Sequence, residues 1–285
     1  MSDDVITLDG ATEPDSTQAS VGGGQVYAYT SRAPDKDSEN EDTVAVIPYG
    51  PEAAVLVVAD GAGGLPAGKR ASSTAVASLA NSLHTSMEET MLLRTAILNG
   101  IDAANAAVQA IGNGSATTLT VITIEGRIAR SYQVGDSEAM VVGQRGLIRL
   151  QTTPHSPTGF AVEAGFLDQK EALHHEDRYL VSNFLGTTDM RIDIGAEIRL
   201  QARDTVLLAS DGLMDNVHVD EIIERIRKGR LEDAAGRVVS LARRRMTGVA
   251  PAQPSKPDDL SLILFRKSPR VADKKTSSNL TKSEP

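Results

Sequence analysis

The order of patterns along the chain predicts an α+β fold in which helices pack on the outer faces of antiparallel sheets. Three observations carry this. Two helical patterns follow one another between about 71 and 111, with apolar residues recurring every three to four positions. The period then switches to alternation, and Ala116–Ile124, Ile128–Val134, Glu138–Val142 and Leu147–Leu150 read as consecutive strands joined by short turns. Two more helical patterns precede a last strand near the C-terminal end. Since the helical pairs lie far apart in sequence, two helical layers around two sheets accommodate both.

The elements follow in order. Residues 1–24 are rich in Asp, Ser, Thr and Gly and read as a flexible acidic leader, with Val5–Leu8 able to add an edge strand. A single domain is expected over 25–267. Gln25–Ser31 and Thr43–Ile47 are strands around a charged loop, and Pro48-Tyr49-Gly50-Pro51 is turn chemistry. A third strand, Ala54–Ala59, is a continuous apolar run ending at Asp60-Gly61-Ala62-Gly63-Gly64. In the first helix Ala71, Ala75, Val76, Leu79 and Leu83 share a face. In the second Leu93, Ile97, Ile101, Ala104, Val108 and Ile111 do so, and Gly112-Asn113-Gly114 closes it. The connections Glu125-Gly126, Gly135-Asp136 and Gly143–Gly146 are short enough to make their strands antiparallel neighbours. Thr152–Arg178 lacks a strand period and is expected to hold short helices and a flap. Asp204–Ser210 is a strand, Glu221–Arg227 and Leu231–Arg245 are helices, and Leu260–Arg266 is the last strand. Residues 268–285 read as a disordered polar tail.

Composition narrows the function. The 285 residues carry a net charge of -9, only 3% aromatics and no cysteine. A phosphate backbone favours a basic face and stacking aromatics, so no nucleic-acid partner is expected. Without thiolates there are no disulfides, Cys nucleophiles or Cys-ligated zinc. No apolar run is long enough to span a bilayer, and the acidic N-terminus lacks a signal pattern. A cytoplasmic monomer that binds no membrane is expected.

Chemistry is concentrated in carboxylates. Asn40-Glu41-Asp42, Asp60-Gly61, Gly135-Asp136-Ser137, Asp211-Gly212 and Asp258-Asp259 each place an acid beside a strand end or loop. One Asp-Gly alone is most often a turn. Five in this order suggest a shared site, and clustered carboxylates stay ionised only with cations among them. All-oxygen ligation suits Mg²⁺ or Mn²⁺. Two such ions ~4 Å apart activate water toward phosphorus. A rival lies in Gly63–Arg70, which approaches the phosphate-binding loop G-x-x-x-x-G-K-[ST] but puts Arg70 where a hydroxyl is needed.

With these pieces together, the chain resembles the metal-dependent serine/threonine protein phosphatases of the PP2C (PPM) type, and in particular their bacterial members. The resemblance runs from about Tyr27 to Arg266 and also takes in Ala71-Ser72, Ala116-Thr117-Thr118 and Leu185-Gly186. It implies a four-layer α-β-β-α sandwich and a binuclear Mn²⁺ or Mg²⁺ centre. Asp60 would bridge both ions, with Asp60 and Asp211 central to catalysis. Gly61 would lend its carbonyl and Asp42, with Glu41, would serve one ion, while Asp211 and Asp258 hold the other. Asp136, Asp211 and Asp215 would hold a third, weaker ion. The implied reaction is hydrolysis of phosphoserine and phosphothreonine by a metal-bridging hydroxide. The implied partners are phosphorylated proteins, including a Ser/Thr kinase or its substrates.

The chain departs from the family at two places. Asp37 stands where many members keep a phosphate-gripping Arg, which leaves Lys36 or Arg32 for that contact. Ala62 stands where eukaryotic members place a His. A weakly active PP2C-fold binding module and a nucleotide hydrolase built on Gly63–Arg70 are the alternative readings. His155, His174 and His175 read as ordinary loop residues of the flap.

Overall fold

The computed structural model describes residues 4–62, 66–248 and 253–268. The strands are β1 (Ile6–Leu8), β2 (Asp15–Val21), β3 (Gly24–Ser31), β4 (Thr43–Pro48), β5 (Ala53–Ala59) and β6 (Gly61–Ala62). Helices α1 (Pro66–Glu88) and α2 (Leu93–Gln109) follow, then β7 (Ala116–Thr117), β8 (Leu119–Glu125), β9 (Ile128–Val134), β10 (Glu138–Val142) and β11 (Ile148–Gln151). The flap holds α3 (Pro157–Glu163), α4 (Gln169–Ala172) and a 3-10 turn over Glu176–Tyr179. Then come β12 (Asp193–Ile194), β13 (Ile198–Arg199), β14 (Thr205–Ala209), α5 (Asp211–Met214), α6 (Val219–Ile226), α7 (Leu231–Met246) and β15 (Leu260–Lys267).

Two antiparallel sheets form the middle layers. One has the order β1-β4-β5-β8-β9-β12, with β13 also on β9, and the other the order β11-β10-β14-β15-β3-β2. Strand β5 shows why its sequence is continuously apolar. Val55, Val57 and Ala59 face α1 and α2, while Leu56 and Val58 face the other sheet. A strand covered on both faces has no polar side to alternate with. Between the sheets, Leu56, Ile122, Ile124, Leu208, Ile263 and Phe265 form the central core. On the far side, Leu207, Leu262 and Leu264 pack under α5–α7 with Leu213, Ile222 and Val238. The expected α-β-β-α order of layers is therefore present. No helix among the described residues is long and apolar enough to cross a membrane.

Two sequence expectations are corrected. The leader is not without structure: besides β1, which realises the edge strand read at Val5–Leu8, residues 15–21 pair along β3 from Thr30 to Gly24. Its side chains are mostly polar and exposed because an edge strand needs only its backbone to pair. Also, Gly135-Asp136 does not join neighbours. β9 and β10 lie in different sheets, so this turn carries the chain across the sandwich. Gly135 makes that possible, since φ is +101° and a Cβ there would meet the Thr118 side chain. The tail from residue 269 and Met1–Asp3 lie outside the described residues.

Candidate metal centre

Strand register brings the acidic segments to one edge. Thr43 pairs with Ala59, so Asp42 enters β4 where Asp60 leaves β5. Leu119 pairs with Val134, just before Asp136. In the other sheet Ala209 pairs with both Glu138 and Leu262, so Asp211 leaves β14 where Asp258 and Asp259 lead into β15. Buried hydroxyls tie the two sheets at this edge. Ser210 Oγ donates to Asp42 Oδ2 at 2.8 Å, and Thr118 and Ser137 share a hydrogen bond of 2.8 Å.

Each acid has a distinct setting. The backbone of Asp60 is fixed by Thr117 and Thr118: Thr118 N–H donates to its carbonyl at 2.8 Å, and its own N–H donates to Thr118 Oγ1 at 3.0 Å. Burial, then the charges of Asp42, Asp211, Asp258 and Asp136, push its carboxyl well above the usual range. Asp42 is wholly buried, and burial followed by the Asp259 charge pushes it up to about 8. Asp136 is raised well above its usual value by burial and by Asp211 and Asp215. Burial and then Asp211 raise Asp215 to about 6 and Asp258 to about 7, with Lys256 offsetting part of both.

Glu41 points elsewhere in part. Its Oε2 pairs with Lys36 Nζ at 3.0 Å, and its N–H donates to Asp259 Oδ2 at 2.7 Å. Lys36 Nζ also reaches Asp259 Oδ2 at 2.7 Å, so the lysine offered for phosphate contact is held by two acids. Burial works against its charge, yet the hydrogen bonds to Asp259 and Glu41 leave its pKa raised. Arg32 lies apart, beside Arg243 in a cavity of about 310 Å³, with Nη1 3.5 Å from Ser38 O.

Gly61 and Gly68 serve close packing. A Cβ on Gly61 would collide with the Gly68 backbone, and one on Gly68 would come within 2.8 Å of Gly61 O and collide with the Glu41 carboxylate. Gly68 is thus where α1 meets the acidic edge. Lys69, one position on, donates to Asp9 O at 2.9 Å and Asp42 O at 3.3 Å, fastening α1 to the loop before β4. Ser72 does the same, through Thr43 Oγ1 at 2.9 Å and the Glu41 carbonyl. The Gly-rich stretch therefore stands in an antiparallel sandwich with its lysine engaged by the fold, which weighs against the nucleotide reading. Residues 63–65 of it lie outside the described residues.

A cation fits the donor set on one direct observation. Buried carboxylate oxygens Glu41 Oε1, Asp42 Oδ1 and Asp211 Oδ1 have no hydrogen-bond partner. Buried polar atoms are rarely left so unless something else is meant to meet them. Oxygen-only donors suit Mg²⁺ or Mn²⁺. Among the described residues no group of three or more acids or histidines is yet drawn close enough to hold an ion. Instead, Lys256 Nζ stands against Asp211, Asp215 and Asp258. Sequence reasoning passed over this lysine, although a cation two residues before an acidic pair was a signal. It also passed over the structural role of His155. Buried in the flap, His155 accepts from Gly135 N–H through Nδ1 at 3.1 Å and pairs with Asp193 through Nε2 at 3.0 Å. It holds the crossover that carries Asp136.

Comparison with known proteins agrees with this architecture. The family model "Protein phosphatase 2C" matches residues 32–244. A putative protein phosphatase 2C-type from Streptococcus pyogenes is 27% identical over 195 residues, covering 66% of this chain and 78% of that protein. Serine/threonine protein phosphatase PstP of Mycobacterium tuberculosis is 30% identical over 212 residues, covering 73% of this chain but 40% of PstP. A crystal structure of PstP superposes with a TM-score of 0.69 at 25% identity, covering 86% of this chain and 98% of that one. Another, of the PstP catalytic domain in complex with two manganese ions, has a TM-score of 0.65 at 24% identity, covering 89% of this chain and 98% of that one. The chain belongs to the protein phosphatase 2C family, whose relatives here are named protein phosphatases, PstP among them a serine/threonine protein phosphatase.

Proposed function

We propose that this chain is a metal-dependent phosphatase acting on phosphoserine and phosphothreonine in proteins, including a Ser/Thr kinase or its substrates. The observation that carries the reading is the meeting of Asp42, Asp60, Asp136, Asp211 and Asp258 at one edge of both sheets, with buried oxygens unpartnered. Asp60, Asp42 and the Gly61 carbonyl are the residues for one ion, with Glu41 in support. Asp60, Asp211 and Asp258 are those for a second, and Asp136, Asp211 and Asp215 for a third and weaker one. What bound Mn²⁺ or Mg²⁺ supplies is Lewis acidity toward an attacking water and the phosphoryl oxygens.

The chain's own part is positional and electrostatic. Thr117 and Thr118 fix the backbone of Asp60, and Ser210 orients Asp42. These contacts hold acids at fixed places despite their mutual repulsion. An uncompensated cluster of carboxylates repels a phosphate, so substrate binding requires that charge to be neutralised first. Lys36 and Arg32 are the candidates for phosphate contact. Lys36 already gives two of its three N–H donors to Glu41 and Asp259, so one remains for such a contact.

The test is hydrolysis of a phosphothreonine peptide by the purified chain with Mn²⁺, compared with phosphoserine and aryl phosphates. Asp60→Asn and Asp211→Asn should each abolish turnover while leaving the circular dichroism spectrum unchanged. Absence of turnover by the wild type on all three substrates overturns the reading.

A further inference from the structure

Lys256 is placed with more care than a surface lysine needs. Its Nζ contacts Asp211 and lies 3.0 Å from Asp215 and 3.1 Å from Asp258. Its backbone is held on both sides by the wholly buried Asn216, whose Oδ1 accepts from Lys256 N–H and whose Nδ2 donates to Lys256 O, both at 2.8 Å. The same Nδ2 reaches Gly212 O at 2.9 Å, so one side chain locks Lys256 to the helix that bears Asp211 and Asp215. Ser255 is moored as well, donating to Arg245 O at 2.8 Å. Arg245 is itself buried and paired with Glu221 at 2.8 Å. The lysine's place among the acids is thus set by a rigid backbone, not by the reach of its side chain alone.

We propose that Lys256 is a tethered cation that competes with a divalent ion for Asp211, Asp215 and Asp258. The idea rests on the reading of this edge as a metal site. Without metal, the ammonium holds three acids together that would otherwise repel one another. With metal, the same oxygens cannot serve both cations, and two cations side by side repel. The lysine therefore weakens the second and third ions, which draw on these acids, and spares the one at Asp42, whose carboxylate pairs with no lysine or arginine side chain among the described residues. The flap meets the lysine here: the Tyr179 ring lies 5.3 Å from Nζ and carries the Arg178 guanidinium at 4.7 Å, and Arg178 donates to Ser255 O at 3.1 Å. Metal occupancy is in this way linked to the flap.

The experiment is a Mn²⁺ titration of the full chain, followed by electron paramagnetic resonance of free Mn²⁺, for wild type, Lys256→Met and Lys256→Gln. Thermal melting is measured alongside, in chelator and in excess Mn²⁺. The weaker ion should bind on the order of tenfold more tightly to both variants. Both should melt below wild type in chelator, and the gap should close or reverse in Mn²⁺. If a variant fails to fold without metal, chelator competition starting from the Mn²⁺-loaded protein gives the same affinity. Equal affinities and equal melting in all three proteins overturn the inference and leave the metal site standing. No Mn²⁺ binding by any of them overturns the metal reading and this inference with it.

Discussion

Asp259 gives the sharpest test of how the acidic edge is held. It is 3% exposed and gathers three donors: Ala33 N–H at 2.8 Å, Glu41 N–H at 2.7 Å and Lys36 Nζ at 2.7 Å. It thereby moors the loop before β4 to the start of β15. Asp259→Ala leaves two backbone amides without an acceptor, at about 1–3 kcal/mol each. The lost ion pair adds little, because Lys36 keeps Glu41 at 3.0 Å and its side chain is 21% exposed. A loss of about 2–6 kcal/mol follows, a large share of the stability of a typical domain. Urea unfolding in chelator measures it. Asp259→Asn should lose less, since one amide keeps a carbonyl acceptor. Mn²⁺ affinity should fall in Asp259→Ala as well, because the loop it releases carries Glu41 and Asp42. A change under about 1 kcal/mol in Asp259→Ala would refute the assignment of Asp259 as the mooring point.

Two further predictions concern the edge as a whole. Asp42, Asp258 and Asp215 are raised to about 8, 7 and 6, and Glu138 beside them to about 7, each by burial first. Between the unfolded and folded values the native chain holds protons that the unfolded chain has released, so metal-free stability falls as pH rises from about 4 to about 8. Melting in chelator should drop across that window, and Mn²⁺ should flatten the dependence. Gly212→Ala should remove turnover and cost about 1–3 kcal/mol, because its Cβ would collide with Asp259 O and push Asp211 and Asp215 away from β15. Urea unfolding together with the phosphothreonine assay checks it.

Much of the fold was legible because the sandwich has strands covered on both faces. A run such as Val55–Ala59 then reads as a strand, and the acid that stops it reads as a sheet end. The five acidic segments were legible one by one, and their convergence rested on order and context. What escaped follows from the same physics. β2 carries Ser, Thr and Gln because only its backbone is needed at an edge, so no hydrophobic period marks it. The crossing at Gly135 looked like a hairpin because a tight turn has the same composition whether it joins neighbours or changes sheets. Lys256 escaped for another reason: its partners Asp211 and Asp215 lie more than forty residues away, and the β14–β15 register and the Asn216 clasp bring them together.

The edge also explains why two lysines belong in an acidic site. Lys36 serves Glu41 and Asp259 at one flank, and Lys256 serves Asp211, Asp215 and Asp258 at the other. Asp42 and Asp60 lie where the strands of the first sheet end, and neither carboxylate pairs with a lysine or arginine side chain among the described residues, Lys69 reaching only the Asp42 carbonyl. They are also among the carboxyls that burial and neighbouring charge raise furthest. The ammonium groups therefore relieve the periphery, where the chain must stay folded without metal. The repulsion that remains is concentrated on the two acids that a divalent ion relieves best. On the proposed metal reading, an edge arranged this way would fold before it is loaded and still favour an ion at Asp42 and Asp60 over one at Asp211 and Asp215.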